Sequence, residues 1–210
     1  MNKVDFNLYL IADPSLVQND FLTSVKKAID GGVKAIQFRG KNLTAKELLS
    51  TGERLRVLTA KHSVKLFIND RLDVAMALDA NGVHLGQTGF SAGLARKLSG
   101  SRFTIGVSTH SLKEARKAAD EGADFITFGP IFATPSKLVY GPPVGLNRLS
   151  NVTKKIKIPV FAIGGVKKES IMDVIGKGAY GVAVISAVLN ARSVYKATVN
   201  ILDELVRHKS

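Results

Sequence analysis

Arg39 and Lys41 stand two residues apart at the end of a short apolar run. Arginine can grip an oxyanion through two parallel N–H groups, and lysine adds a compact point charge. Alone, the pair reads equally well as two solvated loop cations. Similar polar groups close the other apolar runs: Asn69-Asp70-Arg71, His84-Leu85-Gly86-Gln87, Ser108, Thr134-Pro135-Ser136-Lys137, Gly164-Gly165 and Ser186. Asp70 could hold Mg2+, which favours one or two carboxylates completed by substrate phosphate oxygens. It could equally cap the helix that follows. His84 lies inside an apolar run, a pattern that favours a buried structural histidine over a catalytic base.

The elements that must position these groups are legible as eight apolar runs: 8–12, 35–38, 65–68, 82–85, 103–107, 125–128, 159–163 and 181–185. None alternates cleanly, as expected of parallel strands buried on both faces. Helical patterns separate them; Phe21, Leu22, Val25, Ala28 and Ile29 share one helical face. Thr44 with Glu47 and Ser111 with Glu114 have the spacing of capping boxes. The phrases Gly31-Gly-Val-Lys-Ala-Ile, Gly122-Ala-Asp-Phe-Ile and Gly178-Ala-Tyr-Gly-Val repeat one helix-to-strand unit. Strand and helix alternating eight times predict an α/β fold, a single (β/α)8 TIM barrel occupying residues 1–210 as one domain.

Barrel active sites lie at the carboxyl ends of the strands, and phosphate often binds after strands 7 and 8. Gly164-Gly165 follows the seventh run and precedes a helix, so its N–H groups and the helix N-terminus could receive a phosphate. Without that position it would read as a tight turn needing positive φ. Arg39, Lys41 and Lys137 converging on the same rim suggest a second, more highly charged group such as pyrophosphate.

Composition narrows the alternatives. The chain has 210 residues, a net charge of +13 and no cysteine, which excludes disulfides and cysteine metal sites. A pI near 10.0 attracts polyanions, yet the basic residues are scattered over different helices, and aromatics make up only 7%. The expected partners are therefore small-molecule phosphates and pyrophosphates, without nucleic acid or membrane. A homodimer is the one macromolecular association left open. No run reaches the ~18 apolar residues of a membrane span, and Met1–Phe6 lacks the core of a signal peptide, so a cytoplasmic location is expected.

These motifs, in this order, resemble those of the thiamine phosphate synthase family: Gln37–Lys41, Asn69–Arg71, Gly82–Gln87, Gly106–Ser108 and Gly129–Lys137. The resemblance spans nearly the whole chain. It implies a TIM-barrel transferase of thiamine biosynthesis that joins hydroxymethylpyrimidine pyrophosphate to thiazole phosphate and releases pyrophosphate. By that resemblance Gln37 contacts the pyrimidine, and Arg39, Lys41, Asn69 and Lys137 bind pyrophosphate. Asp70 ligates Mg2+, and Ser108 hydrogen-bonds the leaving group. Thr134 and Ser136 line the thiazole site, and Gly164, Gly165, Ile185 and Ser186 hold the thiazole phosphate. His84 joins the substrate-binding set through its motif, and Arg39, Ser108 and Lys137 form the catalytic set.

Three positions depart from the family pattern. Gly89 stands where a second Mg2+-binding aspartate is usual, Gly40 replaces a glutamate, and Ser136 replaces a threonine. Gly89-Phe90-Ser91 resembles a sister group, the thiazole tautomerases, although Pro130 occupies the place of the histidine that some of them carry. Asn69-Asp70 and Thr134–Lys137 favour the synthase. The alternatives are thus a tautomerase-like isomerase or a non-catalytic thiazole-phosphate binder.

Overall fold

The computed structural model describes residues 4–17, 20–134 and 142–207. Eight strands pair in parallel, each with the next, and β1 pairs with β8 to close a barrel. They are β1 (Leu8–Ala12), β2 (Ala35–Phe38), β3 (Lys65–Asn69), β4 (Gly82–Leu85), β5 (Thr104–Thr109), β6 (Phe125–Phe128), β7 (Val160–Ile163) and β8 (Gly181–Val184). Helices α1 (Phe21–Asp30), α2 (Ala45–Lys61), α3 (Leu72–Ala77), α4 (Ala92–Ser99), α5 (Leu112–Asp120), α6 (Gly145–Thr153) and α7 (Ile171–Gly176) fill the crossovers. The short α8 (Ser186–Leu189) and the long α9 (Val194–Arg207) follow β8. The expected (β/α)8 barrel is present.

Several details differ from the sequence reading. After the last strand comes a four-residue helix before the main one, so nine helices, not eight, occur among the described residues. β5 continues to Thr109, because Ser108 turns its hydroxyl into the barrel and a polar residue there does not end a strand. Of the two expected capping boxes, one is complete: Thr44 Oγ1 accepts from Glu47 N–H at 3.3 Å, and the Glu47 carboxylate accepts from Thr44 N–H at 2.9 Å. At α5 only half forms. Ser111 Oγ accepts from Glu114 N–H, but the Glu114 carboxylate accepts from His110 N–H at 2.7 Å instead.

Strand side chains alternate between two cores. One set, including Leu10, Ile36, Leu66, Ile68, Val83, Ile105, Ile126, Ala162 and Val182, faces the helices. The other set lies inside the barrel: Tyr9, Ile11, Ala35, Phe67, Phe125, Phe161 and Ala183, with Val4 and Phe6 entering from the amino end. The Phe6 ring sits 5.6 Å from Tyr9, 5.8 Å from Phe67, 5.7 Å from Phe125 and 5.3 Å from Phe161, centroid to centroid. It closes the amino end of the barrel like a stopper.

Truncating that ring would leave a cavity bounded by four others, too enclosed for the backbone to collapse into. Phe6→Ala should therefore lower unfolding free energy by about 3–5 kcal/mol, measured by denaturant titration.

Candidate active site

At the carboxyl ends of the strands the barrel lining changes from aromatic to polar. Gln37 on β2 and His84 on β4 are each 2% exposed, and Thr127 on β6 is 1% exposed. Asn69 and Ser108 are half-buried above them. Gln37 Nε2 donates to Tyr9 Oη at 3.3 Å. Burial raises the Tyr9 pKa well above its usual value, so the phenol stays neutral.

Arg39 follows β2 and is held by an acid that the sequence reading passed over. Asp13, 3% exposed, directly follows β1, and its Oδ2 pairs with Arg39 Nη1. Its Oδ1 accepts from Ser15 N–H at 3.0 Å and Ser15 Oγ–H at 2.6 Å. Both oxygens of Asp13 are thus engaged, and the guanidinium keeps its other donors for an anion. The signal in the sequence was an acid directly after the first apolar run, but beside Pro14 and Ser15 it looks like an ordinary turn residue. Lys41, two residues beyond Arg39, is exposed.

Asp70 does not cap the next helix. The N-cap of α3 is Arg71, with no side-chain cap bond. Asp70 instead adopts φ +59°, an uncommon left-handed conformation for a residue with a side chain. The turn sends its carboxylate across to the β4 loop, where Oδ1 accepts from Gly86 N–H at 2.6 Å. Oδ2 accepts from Asn69 Nδ2 at 2.8 Å. Among the described residues no cation pairs with Asp70, so it remains an oriented, uncompensated carboxylate. A Cβ at Gly89 would lie 3.0 Å from Asp70 Oδ1, which shows that position 89 faces the same carboxylate. Gly89 has no positive φ. Asp73, three residues on, is paired instead: Arg71 donates to it at 2.8 and 2.5 Å, and that bonding lowers the Asp73 pKa. Arg71 thus spends its Nε and Nη2 on a neighbour in its own turn.

On β4 and β5, His84 Nε2 lies 3.0 Å from Ser108 Oγ, and Gln87 Nε2 donates to the Ser108 carbonyl. His84, expected in the substrate-binding set, is 2% exposed and bonds to Ser108 at the rim. Burial drives its pKa down to about 3. Just beyond, His110 bonds through Nδ1 to the Gly129 carbonyl, tying β5 to the start of the β6 loop.

Gly164 and Gly165 have φ of +91° and +67°. A Cβ at Gly164 would meet Pro130 Cβ at 2.5 Å, and one at Gly165 would meet Phe132 Cβ at 2.8 Å. The base of the β6 loop docks there through Ile131 N–H to Ile163 O at 2.8 Å and Phe132 N–H to Gly164 O at 3.0 Å. The glycines therefore meet a structural need whatever ligand they bind. The helix expected directly behind them begins later, with a 3-10 turn at Lys168–Ser170 and α7 only from Ile171, so its dipole adds little. Ile185, half-buried, and Ser186, exposed, follow directly on β8, the strand beside β7. Thr134 is half-buried, whereas Ser136 and Lys137 lie outside the described residues.

Comparison with known proteins gives one answer. The family described as thiamine monophosphate synthase matches residues 8–188. A relative from Geobacter sulfurreducens is 50% identical over 190 residues, covering 90% of this chain and 89% of that protein. A thiamine-phosphate synthase of Chloroflexus aurantiacus is 40% identical, covering 92% of this chain and 90% of its own. The solved thiamine phosphate pyrophosphorylase of Pyrococcus furiosus superposes with a TM-score of 0.88 at 37% identity, covering 98% of this chain and 97% of that one.

The depressed His84 pKa sets a pH dependence. The unfolded chain binds a proton near pH 6.5 that the native protein refuses until about 3, so His84 costs no stability above pH 6.5 and costs progressively more below it. Between pH 7 and 5, wild type should lose about 2 kcal/mol more unfolding free energy than His84→Gln. Denaturant titrations of both proteins at the two pH values check this.

Proposed function

The chain belongs to the thiamine monophosphate synthase family, and on that premise we propose how its rim carries out the thiamine-phosphate synthase reaction. The match from residue 8 to residue 188, which takes in every rim residue named here, carries the reading. The enzyme is a transferase acting on small-molecule phosphates. The C–O bond between the pyrimidine methylene and pyrophosphate breaks, its electron pair leaving with pyrophosphate, and the thiazole nitrogen forms the new C–N bond.

Negative charge grows on the leaving group as that bond breaks, so donors placed there stabilise the transition state more than the ground state. Arg39, aimed by Asp13, with Lys41, Asn69 and Lys137, receives the pyrophosphate, and Ser108 donates a hydrogen bond to it. Gln37, at the floor of the site, reads the pyrimidine. Thr134 and Ser136 line the thiazole, while backbone N–H groups at Gly164, Gly165 and Ser186, beside Ile185, hold its phosphate. No described helix is long and apolar enough to cross a membrane. We place the reaction in the cytoplasm, without nucleic acid.

Asp70 fits a divalent cation: both oxygens are oriented by fixed donors, and no cation neutralises them among the described residues. With Gly89 offering no second carboxylate, substrate phosphate oxygens and water would complete the shell. When bound, Mg2+ would supply charge to the leaving pyrophosphate.

The decisive assay incubates purified protein with both precursors and Mg2+ and detects thiamine phosphate. Product is expected; conversion of the thiazole tautomer alone would overturn the assignment. Asp13→Asn should raise KM for the pyrimidine pyrophosphate about tenfold or more by releasing Arg39. For the metal, Asn tolerates the left-handed backbone at position 70 as Asp does, so Asp70→Asn isolates the charge. It should abolish stabilisation by Mg2+ in a thermal melt. Gly89→Asp should melt earlier than wild type without Mg2+, through repulsion from Asp70, and gain more on adding it.

A further inference from the structure

We infer that His84 is a positioning residue: as the Nε2–H tautomer it donates to Ser108 Oγ and thereby turns the Ser108 hydroxyl proton outward, toward the leaving group. This rests on the reading of Ser108 given above.

The argument starts from an unpartnered atom. His84 Nε2 meets Ser108 Oγ at 3.0 Å, while Nδ1, fully buried, has no hydrogen-bond partner among the described residues. The ring lies among aromatic neighbours, 5.6 Å from Tyr9 and 5.7 Å from Phe125 between centroids. His84 sits beside Gly106 in the β4–β5 register, and a Cβ on Gly106 would lie 2.5 Å from Nδ1. The glycine thus makes room for the imidazole to lie across β5 and reach the residue two places on.

The ring is buried among aromatic side chains, and no carboxylate bonds to it among the described residues, so it is uncharged and carries one ring proton. If that proton were on Nδ1, a buried N–H would have no acceptor, and Nε2 would take the serine's proton into the barrel. With the proton on Nε2, the orphan is only a lone pair, and unpaired buried acceptors are tolerated better than unpaired buried donors. The serine oxygen then accepts from His84, and its own O–H is free to point to the rim. Gln87, donating to the Ser108 carbonyl, fixes the backbone of the same residue. A serine with its proton directed at an anion is an oriented donor that needs no rearrangement when charge develops.

The test combines spectroscopy with kinetics. Nitrogen-15 NMR of histidine-labelled wild type should show His84 protonated at Nε2 and bare at Nδ1 from pH 5 to 8. An Nδ1–H tautomer or an imidazolium would overturn the inference without reference to turnover. His84→Leu should lower kcat by roughly 10- to 100-fold with both KM values within about twofold, as expected for a misdirected donor. His84→Gln, whose amide N–H can replace the donor, should recover most of that loss, although both variants lose packing. Equal kcat losses in the two would mean a merely structural role and defeat the idea. In a Ser108→Ala background, His84→Leu should add no further loss; additive losses would also overturn it. If Ser108→Ala itself kept full activity, the leaving-group role of Ser108 would fail instead, while the tautomer result would stand.

Discussion

The pairing of β1 with β8 is the constraint on which the rest of the structure depends. Closing eight parallel strands leaves no sheet edge, so every strand is buried on both faces and all eight carboxyl ends meet in one ring. The two-residue alternation then decides what that ring contains. Positions 9, 35, 67, 125 and 161 supply an aromatic and aliphatic filling, and positions 37, 69, 84, 108 and 127 supply polar groups above it. Most of the polar layer is hydrogen-bonded: Gln37 to Tyr9 of the filling on the adjacent strand, Asn69 to Asp70 beside it, and His84 to Ser108 across β4 and β5.

Two acids on this rim illustrate opposite uses of a carboxylate. Asp13 is buried against Arg39 and the Ser15 backbone, so its charge aims a cation and is largely neutralised in doing so. Asp70 is oriented just as firmly, but by neutral donors, Gly86 N–H and the Asn69 amide, which leave its charge outstanding. An aimed cation suits an anionic substrate group; an aimed, uncompensated anion suits a cation. The left-handed backbone at Asp70 is the local strain that sends its carboxylate toward the β4 loop and away from the following helix.

The strands were legible in the sequence because burial on both faces turns each into a short uninterrupted apolar run; β1, β2, β4 and β6 begin and end where those runs do. Most rim groups were legible too, since a polar residue directly after such a run has few other places to be. What escaped depended on relations that spacing does not encode. Asp13 looked like part of a turn because its partner, Arg39, is 26 residues away. Asp70 left two readings open, Mg2+ ligand or helix cap, because only the dihedral angle, not the residue type, tells which way its side chain turns. Glu114 looked like the second half of a capping box, yet the nearest open N–H was that of His110. The brief α8 carries too few residues for any periodicity to show.

The Phe6 stopper has a further consequence. Five packed rings fill the amino end of the barrel, so among the described residues the polar rim is approached from the carboxyl side, and arrivals and departures share it. Gln37, 2% exposed, is reached from that side, beneath whatever is bound nearer the rim. Under the assignment given above, the pyrimidine precursor takes the inner berth and the thiazole the outer one. Depth alone would then impose a sequence on the two arrivals, and a thiazole already seated would bar the way to its own partner.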